Sequence, residues 1–480
     1  VPGARAAVAP LHGQRQPRGA RAAVHGTAAM RCSVMYAVVY LNVLLYSLCF
    51  RLQAPVEPFL VQKLASPGTD TGVIFSSLQS WASLVYTSGS LAMGLLLDVW
   101  GMRCSFAICF ASTALSYFLI SVATNVPILF LSRVPTFFQH GYLLSQALLL
   151  QETSEEERGG ALGRLSLAYT FGASISPGIG GLLAKSGDLY LGARVATAGT
   201  LFSFCLCFLL PRNTAVDRAA ERGVELAEVS LLGNPALGGS SSPKRGNSSP
   251  SSAGSFGGLP MPTVTPFAYR LLGIPKLRAL LSRQVLLVLI LAKIGLSALG
   301  SLDGTAEPLI SIYKFGLKPH HLGELQSGNA FFGGILAACM LGPLCNRYSP
   351  GVLLQRCLTF RLVLALASIV VLTPELRVPF QQAKDLYILF VFLSSINGTV
   401  MHGALTVYTT AAVVKDERGT LMGLEHAINS LPTIVTPMLT GALIHVGGFQ
   451  LAVGASALMT AAMMLAIRRH VVPRYRTKDA

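Results

Sequence analysis

Apolar stretches of about 20 residues, each long enough to cross a ~30 Å hydrocarbon core, recur along most of this 480-residue chain. In lipid every backbone N–H and C=O must be satisfied inside the structure, which leaves helices or closed barrels. A membrane barrel is built from short alternating segments, and these stretches do not alternate. Charged residues make up only 12% of the chain, against ~25% in soluble domains. The fold expected is therefore all-α and membrane-spanning. Twelve transmembrane helices are read, at about 34–63, 72–96, 104–123, 127–150, 161–184, 190–210, 285–313, 322–345, 352–373, 385–412, 421–446 and 450–467.

A long internal repeat organises these spans. Glu155 to Gly187 reads EEERGGALGRLSLAYTFGASISPGIGGLLAKSG, and a degraded copy begins at Lys415. Glu157-Arg158-Gly159 matches Glu417-Arg418-Gly419, Gly163 matches Gly423, Pro177 matches Pro437, Gly181 matches Gly441, and Gly187 matches Gly447. Such a repeat in an apolar chain indicates two pseudo-symmetric six-helix halves, 34–210 and 285–467, an architecture common among transporters. Between them, 211–284 is mostly polar. Its Ser/Gly/Pro-rich middle, Gly238 to Gly258, reads as a disordered linker, and a cytosolic partner would bind there.

The net charge of +16 is a matter of sidedness, not of nucleic-acid binding. With the N-terminus inside, inner segments carry 26 Lys and Arg and outer loops 7, which puts both termini and the linker in the cytosol. The basic ends are 1–33 and 468–480. Residues 1–31 hold five Arg and no acid, the composition of an organellar transit peptide. The chain begins with Val, so a start at Met30 or Met35 is an equal alternative. The nine Cys form no CxxC pair and mostly sit in apolar runs, as small core residues do. No GxxxxGK[ST] loop, nucleophile–base pair or metal-ligand cluster is present in the sequence. Neither an enzyme, a cofactor nor ATP-driven pumping is expected.

Four places could carry function. Between spans two and three, Gly94, Asp98, Gly101 and Arg103 form a tight inner turn in which Asp98 can cap a helix and pair with Arg103. In span five, Gly172, Pro177, Gly180 and Gly181 combine a kinking proline with residues that let helices approach closely. In span four, Arg133 and His140 are seven apart, which on one continuous helix puts them near one face about 10 Å apart. A buried Arg in a span faces a cavity, a partner or a carbonyl. Asp303 and Glu307 share a face of span seven and lie toward its outer end, where plain hydration also accounts for them. Lys293 lies deeper in the same span.

The GxxxDxxGxR turn resembles the loop signature of the major facilitator superfamily. Val99 and Met102 replace its flanking basic residues, and the matching second-half turn has Asn346 in place of the acid. The glycine-rich stretch of span five resembles that superfamily's antiporter signature, with Ser176 where a glycine usually precedes the proline. The text around Arg133 and after Glu155 is similar to the organic-cation-transporter-like branch of solute carrier family 22. The resemblance implies that spans one, four, seven and ten line a central cavity. That selects Arg51, Glu57, Arg133, His140, Lys293, Asp303, Asn397 and His402 as a substrate and proton pathway, with Glu307 beside Asp303. Pro437 and Gly441 join the packing set through the repeat. The implied activity is proton-coupled antiport of small organic solutes, cations or drugs, by alternating access. Arg51, Arg133 and Lys293 keep an organic anion open as substrate. A proton-independent facilitator and a non-transporting receptor or scaffold also stay open. The polar candidates diverge between the repeats, so ion-coupling chemistry is expected mainly in the first half.

Overall fold

A computed structural model describes residues 18–153, 155–210, 284–373, 379–411 and 418–470. The linker, the first 17 residues and the last ten lie outside the described residues. The first half contains α1 (Arg18–Leu52), α2 (Glu57–Leu64), α3 (Thr71–Ser121), α4 (Val126–Ser132), a 3-10 turn (Val134–Phe138), α5 (Gly141–Glu152), α6 (Glu155–Ala184) and α7 (Leu191–Leu206). The second contains α8 (Gln284–Tyr313), α9 (Pro319–Arg347), α10 (Pro350–Leu372), α11 (Phe380–Ala411) and α12 (Arg418–His470).

These elements make the twelve crossings read from the sequence. Two pairs of spans run through as single long helices bent at a glycine. Gly101 (φ 77°) divides α3 into two arms, and Gly448 (φ 68°) divides α12. Only glycine adopts such a backbone without strain. Gly448 also refines the repeat: Gly187 (φ 87°) is the left-handed residue of its own turn, and its structural equivalent is Gly448 rather than Gly447. By length and composition alone, eight stretches among the described residues qualify as spans, and one of them, Asn429–Arg469, covers 41 residues across the Gly448 bend.

Two spans differ from the continuous helices expected. Span one breaks after Leu52, where Pro55 interrupts the ladder and residues 53–56 form a turn before α2. Span four is broken more deeply. It is α4, then the 3-10 turn, then α5, with Pro135 in the turn. Irregular backbone at membrane depth persists only where protein satisfies it. Here the Trp81 indole donates to the Phe130 carbonyl (3.1 Å), Ser116 to that of Ser132 (2.7 Å), and Tyr46 to that of Gln139 (2.9 Å). The 3-10 turn also presses on α3 where Gly89 has no side chain; a Cβ there would overlap the Phe137 carbonyl.

Each half has its own apolar clusters. One gathers Val39, Tyr46, Phe106, Phe110 and Leu148 in the first half; another gathers Leu289, Leu354, Met401 and Leu405 in the second. Lipid is as apolar as these side chains, so close packing rather than water exclusion holds the helices together.

Candidate functional site

The two halves meet mainly through two helix pairs, α6 with α9 and α3 with α12, with a smaller contact of α3 with α8. At α6, a Cβ on Gly181 would lie 2.9 Å from the Pro319 carbonyl oxygen and the His320 Cα, and one on Gly323 would overlap the Pro177 carbonyl. At α12, a Cβ on Gly441 would overlap the Ser76 hydroxyl. The N–H after each proline is equally matched. That of Gly178 donates to Ser327 (2.6 Å), and that of Met438 to Ser80 (3.0 Å). Gly72, Ser76 and Ser80 recur 247 positions later as Pro319, Gly323 and Ser327. The same contact is thus built twice. The sequence showed one side of it, the α6 and α12 repeat, but not the α3 and α9 ladders that receive it.

All of these contacts lie at the end of the bundle that carries the turns at 65–70, 185–190 and 314–318, here called the distal end. Thr71 and Tyr313 share a hydrogen bond across the halves there, and His445 Nε2 stands 3.8 Å from Asp70. Asp70 also caps α3, accepting from Gly72 N (2.8 Å) and Val73 N (3.2 Å). The bonds of Gly178 to Ser327, Met438 to Ser80, and Thr71 to Tyr313, with the approach of His445 to Asp70, thus tie the halves together at this end.

The packing residues read from the sequence are placed as follows. Gly172 and Gly180 both face α1, where a Cβ would overlap Ser47 and the Leu52 carbonyl. Ser176 donates its hydroxyl to the Leu48 carbonyl, so the serine departure serves the same α1–α6 contact. Pro177 and Pro437 lie inside α6 and α12. Arg103 sits over the Phe208 ring at 5.2 Å. The side chains of Gly94's neighbour Asp98 and of Asn346 lie outside the described ones, and the expected Asp98–Arg103 pair with them.

Among the candidate pathway residues, the first half holds an ion pair. Arg133 Nη2 donates to Glu57 Oε1, with side-chain exposures of 14% and 12%. The break in span four makes Arg133 the end of α4, and the turn at 53–56 brings Glu57 to it. The expected helical face shared by Arg133 and His140 does not exist, because the 3-10 turn lies between them. His140 instead precedes α5, buried, with its ring 4.3 Å from that of Tyr86. Phe50 and Tyr86 are half-exposed beside it, and the exposed Arg51 guanidinium lies 5.9 Å from the Phe50 ring centre. Gln139 is buried and donates to the Tyr117 hydroxyl at 3.0 Å.

The second half holds another pair, which sequence reasoning missed. Arg361 of α10 donates to Asp303 of α8, and Ser456 of α12 donates to the same carboxylate at 3.3 Å. Arg361 is a charge within span nine, a span that is not among the implied cavity helices. Asn397 is turned toward α10, donating to the Cys357 carbonyl at 3.0 Å. Lys293 is buried, and His402 on α11 is exposed. No group of three His, Cys, Asp or Glu side chains that could hold a metal occurs among the described residues.

Two six-helix halves, packed together at one end and carrying paired charges inside, define a helical membrane protein built by duplication. The chain belongs to the major facilitator superfamily, whose family model matches residues 39–380 and 305–480. It is a multi-pass membrane protein. It is 26% identical over 230 residues to human solute carrier family 67 member A1, covering 47% of this chain and 52% of that one. It is likewise 26% identical over 213 residues to mouse solute carrier family 22 member 18, covering 42% and 52%. The chain thus spans about half the length of these curated relatives. In fold it is similar to the crystal structure of a D-xylose–proton symporter, with a TM-score of 0.63 at 12% identity over 92% of this chain and 98% of that one.

Proposed function

We propose that the protein is a proton-coupled antiporter of small organic solutes that works by alternating access, with the halves rocking about a site near the midplane. The observation that carries this reading is the duplicated contact at the distal end. A rocking carrier needs a seal that can be remade at the opposite end, and two symmetry-matched sets of glycine and serine contacts can separate without unfolding either half. The two internal ion pairs support proton coupling, since a carboxylate that gains a proton releases its arginine. The 26-to-7 basic split supports termini and linker on the cytosolic side, which makes the distal end the outer one. Halves at 34–210 and 285–467, joined by the linker 211–284, follow from this orientation.

The test is flux through purified protein in proteoliposomes, with ethidium as a cationic probe and fluorescein as an anionic one. A pH gradient should stimulate uptake of the transported probe several-fold. Flux indifferent to the gradient would establish a proton-independent facilitator. Absence of flux for both probes in every gradient, with a partner retained by the linker, would favour a receptor. A trap addresses the alternation itself. A Cβ on Gly178 would lie 3.4 Å from the Ser327 Cβ, next to the ~3.5–4.5 Å range of a disulfide. G178C/S327C should lose flux on oxidation and regain it on reduction.

An organic anion is a second reading with its own support. Arg133 is neutralised by Glu57, yet Arg51 remains exposed among Phe50 and Tyr86. An aromatic wall with one cation suits a planar anion, and preference for fluorescein over ethidium would decide for it.

A further inference from the structure

We propose that the end of the bundle opposite the distal one carries a binding site for a phospholipid with an anionic headgroup, in a groove along α10 whose mouth is made positive by Arg356 and Arg468. The site stands whatever solute is carried and whether or not protons drive it.

Val352, Gln355, Arg356, Thr359, Phe360 and Val363 recur every three or four residues, so they share one face of α10, and they line a groove of about 520 Å³. α9 runs away from the turn at 314–318 and ends at Arg347, and α10 starts beside it at Pro350, so the first turns of α10 lie opposite the distal end. At a rise of ~1.5 Å per residue, Arg356 lies about 9 Å from the start of α10. Beyond it toward the membrane interior, Phe360 and Val363 are exposed and apolar. The last turns of α12 border the same face, where the Thr359 hydroxyl stands 3.5 Å from the Met464 sulfur. The two helices run antiparallel there. Arg468, one turn beyond Met464, is therefore level with Gln355, one turn before Thr359, and it is exposed like Arg356.

Arg356 is held in place before any ligand arrives. Its guanidinium lies 4.5 Å from the centre of the Tyr348 ring. Tyr348 is fixed in turn as the cap of α9: its N–H donates to the Leu344 carbonyl (3.0 Å), and its carbonyl accepts from the Tyr408 hydroxyl (3.5 Å). Stacking uses the face of a guanidinium and leaves its N–H edge, which matches two oxygens of one phosphate. Among the described residues neither Arg356 nor Arg468 forms an ion pair, whereas Arg194 at the distal end has Asp188 at 3.0 Å. A cation within a span calls for a counter-charge, and here the protein supplies none from the described residues.

A phospholipid completes both parts of this surface. Its phosphate sits between Arg356 and Arg468, and an acyl chain lies along Phe360 and Val363, so one molecule clamps α10 to α12. A zwitterionic lipid brings its own cation beside the phosphate and gains less from the two arginines, so the site selects a net negative headgroup. Basic pockets between spanning helices on the cytosolic side bind such headgroups, and anionic lipids are enriched in that leaflet. The orientation proposed above puts this end there. Binding measured in detergent needs no orientation, so the site and the sidedness are tested apart.

The test is native mass spectrometry of the full chain in detergent, with equal amounts of phosphatidylglycerol and phosphatidylcholine that carry the same acyl chains. The ratio of the two bound forms should favour phosphatidylglycerol several-fold in the wild type and fall to about one in R356Q/R468Q. R356K should lie between, because lysine keeps the charge and loses the fork. R164Q removes an exposed arginine at the same end of the first half and should leave the ratio unchanged. An equal loss in R164Q would mean that net charge alone gathers the lipid, and a wild-type ratio of one would mean that there is no selective site; either overturns the inference. Phosphatidylglycerol should also raise the thermal unfolding midpoint of the wild type by several degrees and that of R356Q/R468Q hardly at all. An equal rise with inorganic phosphate would leave an anion site with no lipid in it, which also overturns the inference. A normal gel-filtration profile for R356Q/R468Q separates loss of lipid from loss of fold.

Discussion

Arg133 and Glu57 show what a membrane interior demands of single residues. Both are mostly buried, and either alone would be an uncompensated charge. Removing one partner of a buried pair costs about 3–5 kcal/mol, whereas removing both together costs much less. E57A should therefore lower the thermal unfolding midpoint of the detergent-purified protein sharply, and E57A/R133A should recover most of it. Additive losses in the double variant would mean that the two charges are held separately. Arg133 was legible in the sequence because a charge in an apolar run stands out. Its partner was not, because the Pro55 turn and the break in span four decide which carboxylate reaches it. Arg361 makes the same point: the residue was visible, but its bond to Asp303 spans 58 positions and depends on how α8 and α10 pack.

At the level of helices, the glycines divide by what surrounds them. At Gly180 a Cβ would overlap the Leu52 carbonyl, which is backbone and cannot swing aside. At Gly163 of the same helix a Cβ would meet nothing within 4 Å. G180A should be destabilising by about 1–3 kcal/mol, as overpacking is. G163A should be neutral, or stabilising by up to about 1 kcal/mol through helix propensity. Thermal unfolding of the two variants side by side checks the contrast, and equal effects would refute it. The spans themselves, the repeat and the packing prolines were legible because hydrophobic length and small-residue patterns are local properties. The interruption of span four was harder to read, although Pro135 was in view. A proline can end a helix or merely kink it, and the choice was made by Trp81, Ser116 and Tyr46 from elsewhere in the chain.

For the whole molecule, the proposed alternating access makes the distal contact set a balance between two arrangements of the halves. Each serine-to-backbone bond contributes about 1 kcal/mol net. S80A or S327A alone should shift the balance away from the distal-closed form by roughly fivefold, and S80A/S327A by roughly thirtyfold. Modification rates of a cysteine introduced at Gly72, at the distal interface, would report the shift; a double variant no faster than the wild type would show that the serines do not hold the gate. What moves in such a shift is set by the broken fourth span. Its carbonyls are stitched to α1 by Tyr46 and to both arms of α3 by Trp81 and Ser116, and its charge to α2 by Glu57. Those helices cannot slide past one another without opening several bonds at once. The first half is therefore cross-braced at its broken span, so that α1, α2, α3, α4 and α5 would move together in the proposed rocking.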